Sequence, residues 1–406
     1  MPRSSARVGA LLTVAAIICG NAAPPMIYDA LAPVLPAIAR HFGGGTAGEA
    51  VAQATIAVAT LGMGLAGLVA AALTLRFGFR RTMFAAWLLF GLFGTIGIVG
   101  LPAPALLTSR FLLGLAGGAL MAIAGIAVAA RYAGNEAARA KMMGINLSVG
   151  PFTAIGFLFI AAALAEISWR TPFLMHAALG VIGMVLVANA ELPPVPGADQ
   201  SKPVSAWRAV VPAAPAYLVI LAGLVVSNLF SVQIAFLLAS RNLGDPGTVA
   251  SILSTMLFAL AATYMLFGSI HRRLGPGRTV MLGMAFFGVG ALLCAGSHSL
   301  LSTAAGMICS GIAMGLTVGA AMTMIIDRCT PGGTPIALGL ATTMIYLSGA
   351  IAPMIFVPLR PVVGYDGLYY LCSIAIAIGI LAAVARRTLV SRRSALHRTG
   401  ASAERA

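Results

Sequence analysis

Long apolar runs separated by short polar connectors repeat along the whole chain. They fall near residues 8–38, 50–74, 82–100, 104–129, 143–165 and 171–190, and again near 213–238, 248–270, 279–297, 300–326, 336–358 and 367–385. Each is long enough, at 1.5 Å per residue, for a helix to cross roughly 30 Å of hydrocarbon. Between the sixth and seventh runs lies a polar, proline-rich stretch from Glu191 to Pro212. The pattern predicts an all-α membrane protein of twelve transmembrane helices, read as six plus six. The expected divisions are a six-helix bundle over 1–190, a cytoplasmic linker over 191–212, a second six-helix bundle over 213–386 and a basic tail over 387–406.

One residue departs from the pattern. In Tyr28-Asp29-Ala30-Leu31-Ala32-Pro33-Val34-Leu35-Pro36, near the end of the first run, Asp29 is flanked by residues suited to lipid or to other helices. A charged carboxylate there costs roughly 2.5–3.5 kcal/mol on insertion scales. It therefore faces a wet cavity, pairs with a cation or takes up a proton. Each alternative points to a pathway through a membrane.

Composition agrees with the pattern. The 406 residues are 60% apolar and 9% charged, against about 25% charged in an ordinary soluble domain; the mean hydropathy is +0.99. The net charge of +15 raises nucleic acid as a partner. However, the basic residues fall in short connectors and the tail, not in one stripe with interleaved aromatics, which argues against nucleic acid. With the N-terminus inside, the inner side collects twenty Lys and Arg and the outer side only Arg40, Arg170, Arg241 and Arg360, with Arg110 left inside a span. That asymmetry places both termini in the cytoplasm and the chain, a multi-pass protein and a monomer by expectation, in the inner (plasma) membrane. The tail arginines, from Arg386 to Arg405, read as a disordered segment suited to anionic lipid headgroups. Arg3 and Arg7 before an apolar run resemble a signal peptide, but apolar character continues to Ala39, too long for a signal core, so an uncleaved first helix is expected.

Chemistry of other kinds is thinly represented. The five cysteines show no close pair and the five histidines are scattered, so no disulfide framework, metal site or cofactor is expected. No phosphate loop or nucleophile–base set appears, which argues against an enzyme and against ATP as a direct driver.

The halves echo one another. Leu75-Arg76-Phe77-Gly78-Phe79-Arg80-Arg81 after span two is matched by Arg272-Arg273-Leu274-Gly275-Pro276-Gly277-Arg278 after span eight, with Gly78 and Gly275 197 residues apart. Asn146-Leu147-Ser148 is matched by Tyr346-Leu347-Ser348, 200 apart. Such repeats are a transporter construction, with the substrate between the halves near the midplane.

On these residues the chain resembles a major facilitator superfamily transporter over nearly its whole length. The loop after span two is similar to the signature G-x-L-x-D-R-x-G-R-R, with Ala71 and Leu75 replacing the usual Gly and Asp; Arg76, Gly78 and Arg80 remain, and the resemblance gives them a gating role. Arg110-Phe111-Leu112-Leu113-Gly114-Leu115-Ala116-Gly117-Gly118 is similar to the family's R-x-x-x-G-x-x-x-G pattern, whose arginine is associated with proton coupling. Gly114 and Gly118 share a helical face and permit close helix approach. A snorkelling Arg110 is the alternative. Gly150-Pro151 partly matches the antiporter signature G-x-x-x-G-P-x-x-G-G, and a plain kink is the alternative. Trp169-Arg170-x-x-Phe173 is a further recurrent feature.

The Asp29 segment resembles the D-x-Y-L-P-A-L-P stretch of bacterial drug:proton antiporters of the bicyclomycin and chloramphenicol resistance type. Asp29 lies seven residues before Pro36 and Arg110 about six residues into its own span, so both sit roughly 10 Å deep and are expected to pair. The resemblance implies proton-coupled export of small amphipathic or drug-like molecules, with proton and substrate competing at Asp29. Asn21 stands where some relatives carry a second acid. Further candidates for the cavity are Asn21, Tyr28, Asn146, Ser148, His176, Asn228, Gln233, Tyr264 and Tyr346; an interhelical hydrogen bond is the alternative for each. Two other functions stay open: proton-coupled or facilitated uptake of a small nutrient or metabolite, and a non-transporting membrane receptor or enzyme.

Overall fold

The fold is seen in a computed structural model that describes residues 2–132, 134–194, 211–296, 299–328 and 334–403. Among the described residues the regular structure is helical, with no strand. Ten stretches are long and apolar enough to cross a membrane. They supply span one (Gly9–His41), spans two and three (Gly45–Gly67 and Ala72–Val99), span four (Ala103–Arg131), span six (Thr171–Asn189), span seven (Val211–Ser240), span eight (Pro246–Leu274), span nine (Pro276–Ala295) and span ten (Leu300–Arg328). Span five is the helix Glu136–Ala165. The last stretch, within the helix Thr334–Ala403, is broken at Gly364 and gives spans eleven and twelve. Twelve spans result among the described residues.

The breaks between long helices follow from glycine. Gly78 (φ 83°, ψ 163°), Gly275 (φ 73°, ψ 167°) and Gly364 (φ 72°, ψ 177°) adopt a backbone conformation open essentially to glycine alone. The predicted equivalence of Gly78 and Gly275 is thus met in their backbone angles. Two expectations are corrected. Span one is not one continuous helix but breaks around Asp29. The segment expected as a disordered tail is helical to Ala403: residues 380–399 contain no glycine or proline and are rich in Ala, Leu and Arg, all good helix formers. Residues 195–210 of the expected linker lie outside the described residues.

Twelve consecutive spans alternate in direction, so Pro2 and Ala403 fall at one end of the bundle, here the terminal end; the other is the distal end. Spans two and four pack backbone to backbone. A Cβ at Gly114 would collide with the Ala59 carbonyl oxygen, and one at Gly118 with the backbone of Met63. The N-terminal half has its own core around Trp87, Phe90, Ile27 and Met26. Another core centres on Phe230, Phe287 and Tyr369 of the C-terminal half. A third joins the halves distally, with Leu31, Val34 and Leu35 packed with Val232 and Phe236.

Candidate functional site

Span one is interrupted where Asp29 stands. Four prolines, Pro24, Pro25, Pro33 and Pro36, fall within thirteen residues, and each removes a backbone donor. The helix Ala23–Tyr28 ends, residues 29–31 form turns, and a 3₁₀ segment, Ala32–Val34, follows. The Asp29 and Ala30 amides both donate to the Pro25 carbonyl, at 2.8 and 3.3 Å. Span seven is disturbed at the equivalent place, 200 residues on, by a π-helical segment, Leu229–Gln233. Interrupted spans at matching positions of two halves are where transporters build their sites.

Asp29 and Tyr28 are half-buried on this break. The Tyr28 hydroxyl lies within electrostatic reach of Asp29, of Tyr346 on span eleven and of Tyr264 on span eight. Tyr28 thus has one carboxylate of its own half and two phenols of the other half within that reach. Tyr346 is 7% exposed and donates its hydroxyl to the Met121 sulfur on span four at 3.0 Å. Among the described residues the ion pairs are Arg241–Asp366 and Arg360–Glu49, so Asp29 has none.

The expected partner, Arg110, is engaged elsewhere. It is fully buried; Nη2 donates to the Gly94 carbonyl at 3.0 Å and the guanidinium lies 4.4 Å over the Phe173 ring. Its Nε and Nη1 have no acceptor among the described residues. His176, expected in the cavity, packs instead in this cluster among spans three, four and six. It is fully buried, its Nδ1 is 3.2 Å from the Phe173 carbonyl and its ring is 5.4 Å from Phe90. Gly91 and Gly94 of span three make the room: a Cβ at Gly94 would strike the imidazole. Similar depth does not make Arg110 and Asp29 a pair, because the face of span four carrying Arg110 turns toward spans three and six.

The remaining predicted residues divide by what they touch. Asn21 and Asn146 are buried, at 6% and 1% exposed. Gly150 holds span five close to span one, its Cβ position 3.6 Å from the Asn21 carbonyl oxygen. Pro151 sits inside span five, and the Thr153 hydroxyl donates to the carbonyls of Val149 and Gly150 at 2.8 and 3.0 Å beside it. Asn228 turns back on its own helix, donating to the Leu224 carbonyl at 2.8 Å. Arg80 donates to the carbonyls of Ala188 and Ala190 at 2.7 and 3.0 Å, capping the end of span six; Arg76 lies against Phe77. The Ser148 side chain lies outside the described part of the structure.

Gln233, expected in the cavity, belongs to a distal tie that sequence reasoning missed. Gln53 and Gln233, both buried, exchange amide hydrogen bonds at 2.9 and 3.3 Å between spans two and seven. Farther out, Arg360 pairs with Glu49 and donates to Thr46 and Tyr365, and Tyr365 donates to Glu49 at 2.7 Å. Polar residues near span ends were the available signal, but nothing in the sequence pairs residues 180 to 316 positions apart. A hollow of about 600 Å³ lies above the tie, lined by Arg40, Glu49, Asn242, Asp245 and Tyr365 among others. Asp245 caps span eight, accepting from the Thr248 amide at 2.8 Å, and hydrogen bonds from the Thr248 side chain and then its amide hold the carboxyl below the usual range.

Comparison with known proteins places this architecture. A family model described as Major Facilitator Superfamily matches residues 17–353 and 217–404. No curated protein matches the sequence significantly. Among solved structures, a single-residue mutant of the nucleoside transporter NupG superposes with a TM-score of 0.75 at 11% identity, covering 91% of this chain and 99% of that one. A POT family transporter in complex with a thioalcohol-conjugated peptide also gives 0.75, at 12% identity and 95% and 96% coverage. At such identities the likeness is one of fold. The chain belongs to the major facilitator superfamily and is a transporter rather than an enzyme.

Proposed function

We propose that the chain exports small amphipathic or drug-like molecules in exchange for protons, with Asp29 as the proton carrier. The supporting observation is the placement of Asp29 at the break in span one, half-buried next to Tyr28, whose hydroxyl is within electrostatic reach of Tyr264 and Tyr346 of the other half, with no ion-pair partner among the described residues. An unpaired carboxylate in such surroundings is stabilised by taking up a proton, and charged substrate groups compete for the same oxygen atoms. Phenol rings accept the apolar and cationic parts of amphipathic compounds.

In the transport cycle Asp29 loads a proton from the outside, substrate from the cytoplasm displaces it, and the halves rock about the site with the distal tie opening and closing. Arg110, held by the Gly94 carbonyl and the Phe173 ring, acts in this reading by bracing spans three, four and six and not by pairing with Asp29. Gly114, Gly118, Gly150 and Pro151 shape the helix contacts that change, and Arg76, Gly78 and Arg80 hold the loop between spans two and three. By the charge count both termini are cytoplasmic, so a structure tied distally is one closed to the outside.

The test is substrate-induced proton release from the purified protein, together with transport in proteoliposomes under an imposed pH gradient. Asp29→Asn is expected to lose both proton release and gradient-driven transport at wild-type expression. Coupling that survives this change would sink the assignment. Accumulation that falls when the gradient is collapsed would instead identify uptake.

A further inference from the structure

Two buried amides each keep one atom with no hydrogen-bond partner among the described residues. Asn21, in the 3₁₀ segment Gly20–Ala22 of span one, keeps an unengaged Nδ2; Asn146, on span five, keeps an unengaged Oδ1. Both side chains are more than nine-tenths buried. Buried polar atoms are almost always satisfied, so an orphan donor and an orphan acceptor on neighbouring spans are unusual.

Their positions converge. Gly150 lies against the Asn21 backbone, and Asn146 is one helical turn from Gly150 on the same face. Helical side chains lean toward the helix N-terminus, which drops the Asn21 amide from the level of Gly150 toward that of Asn146. On the other side, Gly20 abuts the Leu120 carbonyl, and the next residue, Met121, receives the Tyr346 hydroxyl. Tyr28 follows Asn21 by seven residues, two turns along span one. The two amides thus lie on neighbouring spans about two helical turns inward of Tyr28.

Gln53 and Gln233 provide the contrast. They too are buried amides on facing spans, and they satisfy each other. Asn21 and Asn146 are set so that each has an atom left for a third group. Spare N–H on one side and spare C=O on the other match a neutral unit that accepts from the first and donates to the second. Charged groups do not fit that requirement, because neither amide supplies a compensating charge.

We propose that Asn21 and Asn146 form a carboxamide-recognising subsite, so that preferred substrates carry an uncharged –CO–NH– unit beside the amphipathic or cationic part that reaches Asp29. The carbonyl accepts from Asn21 Nδ2, and the N–H donates to Asn146 Oδ1. The inference rests on the efflux reading only in placing the substrate cavity between the halves.

Procainamide and procaine differ at this unit alone, amide against ester, and test it directly. Binding of each to the purified full-length protein is measured by equilibrium dialysis, and transport is followed in proteoliposomes. The wild type is expected to prefer procainamide at least tenfold, since the ester oxygen would oppose Asn146 Oδ1 with a lone pair. Asn146→Leu should weaken procainamide and leave procaine nearly unchanged, removing the preference. Equal wild-type affinity, failure to bind procainamide at millimolar concentration, or equal weakening of both compounds by Asn146→Leu overturns the subsite. The wild-type ratio needs no variant, so it stands even if Asn146→Leu fails to fold. An amide preference that persists with no Asp29-dependent proton coupling would remove the efflux reading while leaving the subsite intact.

Discussion

At position 114 the absence of a side chain has a physical cause: the Ala59 carbonyl occupies the space a Cβ would fill. Gly114→Val is expected to destabilise the folded protein by about 1–3 kcal/mol through overpacking, read as a lower unfolding temperature and a smaller monodisperse yield. Gly125 has nothing within 4 Å of its Cβ position, so Gly125→Ala is the matched control and should leave both readouts near wild type. The sequence made Gly114, Gly118 and Asp29 visible because each is defined by residue type and helical spacing. Arg110 was visible as a buried cation, but its contacts were not. Whether it meets Asp29 or Gly94, Phe173 and His176 depends on which face of span four turns inward, and the glycines that admit His176 belong to another span.

Helix ends and breaks carry the same division. The turns at Gly78 and Gly275 were readable from a repeated basic loop, whereas the break in span one follows from four prolines whose combined effect no single motif states. Gly364→Ala should cost about 1–3 kcal/mol, because the alanine must hold φ 72° and ψ 177°; thermal unfolding in detergent measures it. Asp245 gives a pH-dependent counterpart at the start of span eight. Its folded carboxyl is held below the usual value by hydrogen bonds from the Thr248 side chain and amide. A depressed carboxyl stabilises the fold above the unfolded value, near 3.9, and that contribution disappears as pH falls through the folded value. Asp245→Ala should therefore lower stability by about 0.5–2 kcal/mol at neutral pH, as a lost N-cap. The difference from wild type should shrink below about pH 4; a difference constant with pH would show that the carboxylate charge is not involved.

Across the whole molecule, named bonds between the halves run from the level of Tyr346 outward to Arg360 and Tyr365, and the buried amide pair Gln53–Gln233 lies between those levels. On the proposed transport cycle this pair, closed here, separates when the distal end opens. Removing one member and removing both should have different consequences. Gln53→Leu leaves Gln233 buried with unmade hydrogen bonds, a cost of about 1–3 kcal/mol borne only by the closed state. The equilibrium should then move toward the open state by roughly 5- to 150-fold. Gln53→Leu with Gln233→Leu replaces the amides by apolar groups of similar size, which restores most of the closure. Ile56, 4% exposed in the distal core, reports the change as Ile56→Cys, labelled by a membrane-impermeant thiol reagent with the native cysteines as background. Labelling should accelerate several-fold in the single variant and return most of the way in the double. If both variants label alike, at the parent's rate or at one common faster rate, the amide pair is packing and not a gate.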